Sequence, residues 1–237
     1  MLDWVTDGRN CSIQENKILV DELHTNMLTL NKAQAQAIVD AQGWGDLEYY
    51  WINKLSTNLI DDFTFDRVTT GELNDTLLEN YEALIIPWYF DPLTTSEVQA
   101  VDDFVAKGGG LILIGDCAFS NPNPELAANY DLEFMPECLF SPIPQHEGVI
   151  TDFSYSHSPP ILRDSTYYAQ NWGQWLQPNY ANGEVFWLLD TGGKNAWIDL
   201  NWNDQYDSGE EAYVDVVAGY NTGCGRVMAI ADDAFGD

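Results

Sequence analysis

One stretch, Tyr81 to Cys117, constrains the fold more than any other part of the chain. It reads YEALIIPWYFDPLTTSEVQAVDDFVAKGGGLILIGDC. Ala83 to Pro87 is a short apolar run of strand length. Thr94 and Glu97 have the T-x-x-E spacing of a capping box, in which each residue satisfies a backbone N–H that the first helical turn leaves free. Val98, Val101, Phe104 and Val105 follow at helical spacing and make one apolar face. Gly108 to Gly110 end that helix, because glycine adopts the left-handed C-terminal conformation without a Cβ clash. Leu111 to Ile114 is a second apolar run. Two apolar strands joined by an amphipathic helix predict a parallel β-α-β unit, with Thr95 to Lys107 as the crossover helix.

The remaining chain extends this unit. Lys17 to Asp21 (KILVD) is an apolar strand, predicted to lie parallel to Ala83–Pro87 and Leu111–Gly115. Asn31 is placed to cap a helix through about Gln42, and Leu47 to Leu59 has helical spacing with Tyr50, Trp51 and Leu55 on one face. Phe63 to Val68 alternates as a strand, and Leu73 to Asn80 is a short helix or turn. Beyond Cys117, Glu125 to Asn129 allows one or two helical turns. Met135 to Pro160 is proline-rich and irregular, with one strand at Val149 to Tyr155, and Tyr167 to Tyr180 is an aromatic, polar loop. Glu184–Asp190 and Ala196–Leu200 are strands. Ala212–Tyr220 and Arg226–Asp232 flank Asn221-Thr222-Gly223-Cys224-Gly225, a hairpin signal. The order predicts one α/β domain over residues 1–237, largely parallel, with an antiparallel, strand-rich C-terminal augmentation.

Composition excludes several classes of function. Thirty-eight acidic residues face nine Lys plus Arg, a net charge of −29, and such a surface repels nucleic acid and anionic membranes. It suits cations, high salt or a crowded cell surface. No run approaches the ~20 apolar residues of a membrane span, so no membrane insertion is expected. Met1 to Val20 carries Asp3, Asp7 and Glu15 and lacks the apolar segment of a signal peptide. Cys11, Cys117, Cys138 and Cys224 include no C-x-x-C pair, which speaks against zinc and leaves three disulfide pairings open. The sequons at Asn10 and Asn74 add weight to an extracellular location.

Four pieces of the chain resemble a known family. ILVDELHTN, YEALIIP, LTTSEVQAVDDFVAKGGGLILIGD and GCGRVMAIADD, between Lys17 and Asp233, resemble class I glutamine-amidotransferase-like domains. The likeness is to the non-amidotransferase branch of gliding-motility and intraflagellar-transport proteins and of uncharacterised surface proteins. It implies a flavodoxin-like sheet with flanking helices and a closing strand, Arg226–Asp232, beside the first strand. It also implies a domain cut from a longer protein, since members continue past that strand into a helix. It implies no particular reaction.

In open parallel sheets, ligands bind beyond the carboxyl ends of the strands. The candidate ligand-binding residues at that rim are Asp21, Glu22 and His24, then Trp88 and Asp91, then Asp116, and finally Asp232 and Asp233. The competing reading is that each is a loop residue capping nearby backbone. Asp21, His24, Asp116 and Asp232 are expected to share one cleft, with His24 or a bound cation offsetting the carboxylates. Cys117 and His24 are weak catalytic candidates. Amidotransferases carry G-x-C-x-G, whereas Gly115-Asp116-Cys117-Ala118-Phe119 has Phe119 in place of the second glycine. The partner His-x-Glu is missing: His146 and Glu147 are adjacent, and Ser158-Pro159 follow His157. Asp116 would raise the pKa of the Cys117 thiol, opposite to the need of a nucleophile, so a buried or disulfide-bonded cysteine is expected.

Asp199, Asn201, Asn203, Gln205, Asp207 and Glu210 fall at positions 1, 3, 5, 7, 9 and 12 of a calcium-loop spacing, with Asp204 where position 6 needs glycine. Calcium is the only cofactor this suggests, and an exposed acidic hairpin loop is the alternative. Aromatic clusters at Tyr49–Trp51, Pro87–Phe90 and Trp172–Trp175 could stack on sugars, although core packing explains most of them. The expectation is therefore a non-catalytic domain that binds a carbohydrate or protein partner, or assembles, in a secreted or cell-surface protein. The alternatives are a hydrolase-type enzyme using Cys117, His24 and Asp21, and a structural subunit of a surface layer or filament.

Overall fold

The computed structural model describes residues 16–25, 28–42, 63–87, 91–116, 124–140, 149–150, 168–169, 173–182, 185–190, 196–203, 205–210 and 212–231. Strand β1 is Lys17–Asp21. Helix α1, Lys32–Gln42, starts where Asn31 Oδ1 accepts the N–H groups of Ala33 (3.0 Å) and Gln34 (3.3 Å). After β2 (Thr64–Val68), the short α2 (Asp75–Leu78) is capped by Asn74, and β3 is Ala83–Ile86. Helix α3, Thr95–Ala106, carries the full capping box: Glu97 N–H donates to Thr94 Oγ1 (3.3 Å), and Thr94 N–H to Glu97 Oε2 (2.9 Å). Then follow β4 (Gly110–Ile114), α4 (Pro124–Ala128), β5 (Phe134–Phe140), β6 (Val149–Ile150), β7 (Tyr168–Ala169) and β8 (Gly173–Leu176). A 3-10 turn at Tyr180–Asn182 leads to β9 (Val185–Asp190), β10 (Trp197–Ile198), β11 (Asp215–Thr222) and β12 (Gly225–Ile230).

Strands β2-β1-β3-β4-β12 form a continuous parallel array in the flavodoxin order. Strand β11 turns back antiparallel on β12, and β8, β5 and β10 extend the sheet, with β9 also on β11; a separate ribbon joins β6 to β7. Apolar strands need cover on both faces, and here they have it: Ile18, Leu84, Ile85, Leu111, Ile112 and Met228 are sealed from solvent. Each such side chain stabilises the fold by roughly 1.5–3 kcal/mol relative to exposure. The apolar face of α3 supplies part of the cover, with Val98, Val101, Phe104 and Val105 buried. Its approach to β12 is close: a Cβ on Gly225 would lie 2.0 Å from the Val105 carbonyl oxygen, so only glycine fits there.

Three expectations change. The closing strand runs beside β4 rather than β1, because β2 and β3 already occupy both edges of β1. Residues 135–140, read as irregular, belong to β5. Pro136 misled the reading, since proline usually interrupts a ladder; here it sits where the β5–β8 register shifts between Met135 and Leu139. The supposed loop Tyr167–Tyr180 contains β7 and β8. The helical stretch Leu47–Leu59 lies outside the described residues.

Candidate functional site

In the order β2-β1-β3-β4 the chain moves outward in both directions from β1 and β3, so the switch point lies between those two strands. Ligand crevices form beyond the carboxyl ends there. The loops meet at that point, where Asp91 N–H donates to the His24 carbonyl (3.3 Å). Asp21, the last residue of β1, folds its loop over itself: Oδ1 accepts the N–H of Leu23 (2.9 Å) and His24 (3.4 Å), and Oδ2 lies 2.8 Å from His24 Nδ1. The other ring nitrogen, Nε2, lies 3.4 Å from Glu97 Oε1. Glu97 also accepts the Leu73 N–H (3.1 Å) and the Thr94 hydroxyl (2.8 Å). Asp21, His24 and Glu97 are all buried.

This arrangement sets the protonation of the cluster. Burial alone would lower the His24 pKa, but the hydrogen bond and charge of Asp21, joined by those of Glu97, outweigh it and raise the pKa above 6.5. Burial would raise that of Glu97, but the bonds from Thr94 and Leu73 and the charge of His24 lower it below 4.5. The charged imidazole is thus favoured between two carboxylates, and the three side chains join the end of β1 to the start of α3. Neither nitrogen is left to take a proton from a nucleophile.

Glu22 is likewise spent on structure. Its Oε2 accepts the Thr29 hydroxyl (2.9 Å) and Arg67 Nη1 (3.0 Å), and its Oε1 accepts the Leu30 N–H (2.7 Å). Asp116 is buried beyond β4, where Gly115 N–H donates to the Ile230 carbonyl (2.8 Å). Asp21, His24 and Asp116 therefore share the carboxyl edge, with β3 between β1 and β4. Asp91 is exposed. Trp88, Cys117, Asp232 and Asp233 lie outside the described residues. Sequence reading found Glu97 only as a helix cap; its second role facing His24 has no local signal, since 73 positions separate them.

The acidic loop closes on its own hydrogen bonds. Ile198 N–H donates to the Glu210 carbonyl and Ala212 N–H to the Ala196 carbonyl (2.9 Å each), so strand-like segments flank it. Asp199 Oδ1 accepts the N–H groups of Asn201 and Asn203 (3.2 Å each). Glu210 accepts those of Leu200 (3.2 Å) and Asp207 (2.7 Å). Asp207 Oδ2 accepts both Asn201 and Asn203 amides (2.9 Å each), which hold its carboxyl below the usual range. The amides thus turn nitrogen, not oxygen, towards the carboxylate. Among the described residues no group of three or more His, Cys, Asp or Glu is placed to hold a metal ion. The loop exposes Leu200, Trp202 and Tyr206.

No protein-family model and no curated protein matches the sequence. Solved structures do match the fold. The chain is similar to the N-terminal domain of mmIFT52, with a TM-score of 0.66, 12% identity, and 92% of this chain covering 86% of that one. It is similar to a ThuA-like protein from Bacteroides uniformis, at TM-score 0.53, 16% identity, and 92% and 81% coverage. It also matches a β-galactosidase from Bacillus circulans at TM-score 0.54 and 13% identity, where 96% of this chain spans only 29% of the enzyme. At these identities the likeness is one of fold: an α/β fold with a flavodoxin-like sheet.

Proposed function

We propose that the chain is a non-catalytic ligand-binding or assembly domain of a secreted or cell-surface protein, nearest the branch that includes intraflagellar-transport proteins. One observation carries the reading: both nitrogens of His24 are held by buried carboxylates, so the rim lacks a working base at that position. Phe119 in place of the second glycine and the missing His-x-Glu motif support it. The likeness to the mmIFT52 domain supports the fold that this branch shares. Cys138 and Cys224 are disulfide-bonded, as suits an oxidising compartment.

The test is turnover. Purified protein incubated with p-nitrophenyl acetate and, separately, with glutamine should release nitrophenol or ammonia no faster than heat-denatured protein. Turnover by native protein that disappears in both Cys117→Ser and His24→Gln, with circular dichroism confirming that each variant is folded, would establish the hydrolase reading instead.

A further inference from the structure

Beside α4, at the end of the sheet where β8 runs out, lies an open pocket of about 380 Å³. That volume falls at the lower end of the ~300–1,000 Å³ range of small-molecule sites. Its frame is rigid. Gln177 N–H donates to the Glu133 carbonyl (2.9 Å) and Asn179 N–H to the Asp131 carbonyl (2.8 Å), which carries the β5–β8 ladder past the strand ends. Buried Leu132 and Phe134 give it apolar lining.

Its polar groups divide into two sets. Asn179 Nδ2 donates to Asp131 Oδ1 (3.2 Å), and Asn179 Oδ1 accepts the Ala181 N–H (3.1 Å), so these two side chains brace the wall. The Glu133 carboxylate and Gln177 amide make no protein hydrogen bond among the described residues, and both are exposed.

We propose that this pocket binds a neutral sugar. The proposal rests on the ligand-binding reading above and names the ligand class. Adjacent sugar hydroxyls can donate to the Glu133 carboxylate, while the Gln177 amide both donates and accepts. The C–H face of a sugar ring covers apolar surface, and exposed Pro124 and Ala128 in the lining offer it. An anion finds no Lys or Arg among the described lining residues and meets a chain of charge −29. Among the described lining residues a cation gains one uncommitted carboxylate, which is solvent-exposed and therefore screened. Hydrogen bonding and shape therefore decide selectivity.

Saturation-transfer NMR and calorimetry with lactose, cellotetraose, spermidine and inorganic phosphate test this on the full chain. At least one of the two sugars should bind, with affinity about tenfold weaker in Gln177→Ala. Glu133→Gln should keep sugar binding within a few fold, since it retains an acceptor. Binding of spermidine or phosphate in place of sugar overturns the ligand class. Sugar binding that Gln177→Ala leaves unchanged overturns the location, and silence from both sugars overturns the proposal. None of these results produces turnover, so the non-catalytic reading stands or falls separately by the hydrolysis assay.

Discussion

Burying an imidazole between two carboxylates costs desolvation, and the return depends on the proton. His24 has a raised pKa in the fold, so its contribution is complete below about pH 6.5, the ordinary histidine value, and is lost as pH rises through the higher folded value. Glu97 has a lowered pKa, so its contribution is complete above 4.5 and is lost as pH falls through its folded value. Both are present in full only between those two ordinary values, in mildly acidic solution. His24→Gln should destabilise the protein there by about 3 kcal/mol, because it leaves buried carboxylates unpaired. The gap between wild-type and variant melting curves should then narrow as pH rises through the folded pKa of His24. A gap independent of pH from 5 to about 9 would show that folding leaves the pKa of His24 unshifted.

At the scale of elements, legibility followed locality. The capping box, the α3 face and the β3–α3–β4 unit depend on residues within a few turns of one another, and the structure has all three. Strands β5 and β8 were not legible, because their pairing is non-local and β5 carries Pro136 at an irregularity. The cysteines become legible only once the elements are placed. Cys138 adjoins Leu139, which pairs with Gly173, and the next residue, Gln174, donates to the carbonyl of Ala231 just past β12. Cys224 sits before β12, a strand of six residues, which at ~3.3 Å each puts the two cysteines roughly 20 Å apart. A disulfide spans at most about 7 Å between Cα atoms. Asp116, the residue before Cys117 in sequence, is also at the far end from Cys224. Peptide mapping without reduction should therefore return Cys117–Cys138 and Cys11–Cys224. A Cys138–Cys224 or Cys117–Cys224 link would contradict the register.

For the molecule as a whole, the net charge of −29 is a self-repulsion that added salt screens. Melting temperature should rise between about 20 mM and about 1 M NaCl, by roughly 2–4 °C for each kcal/mol relieved. No rise, or a fall, would mean that the acids are already paired in the fold. The rim was legible as a set of strand ends, since parallel direction follows from the β-α-β order. That its histidine is locked was not, because Glu97 reaches it from a different element. The sheet has one more consequence, for synthesis. Strand β12, last of the described strands in chain order, lies between β4 and β11 in the middle of the sheet. During translation the edge of β4 stays bare while the roughly 110 residues from Ile114 to Gly225 are made, about 5–20 s at ribosomal rates. The nascent chain therefore carries an unpaired, fully apolar strand until nearly all the sheet has emerged, and in that interval it is a natural client for a chaperone.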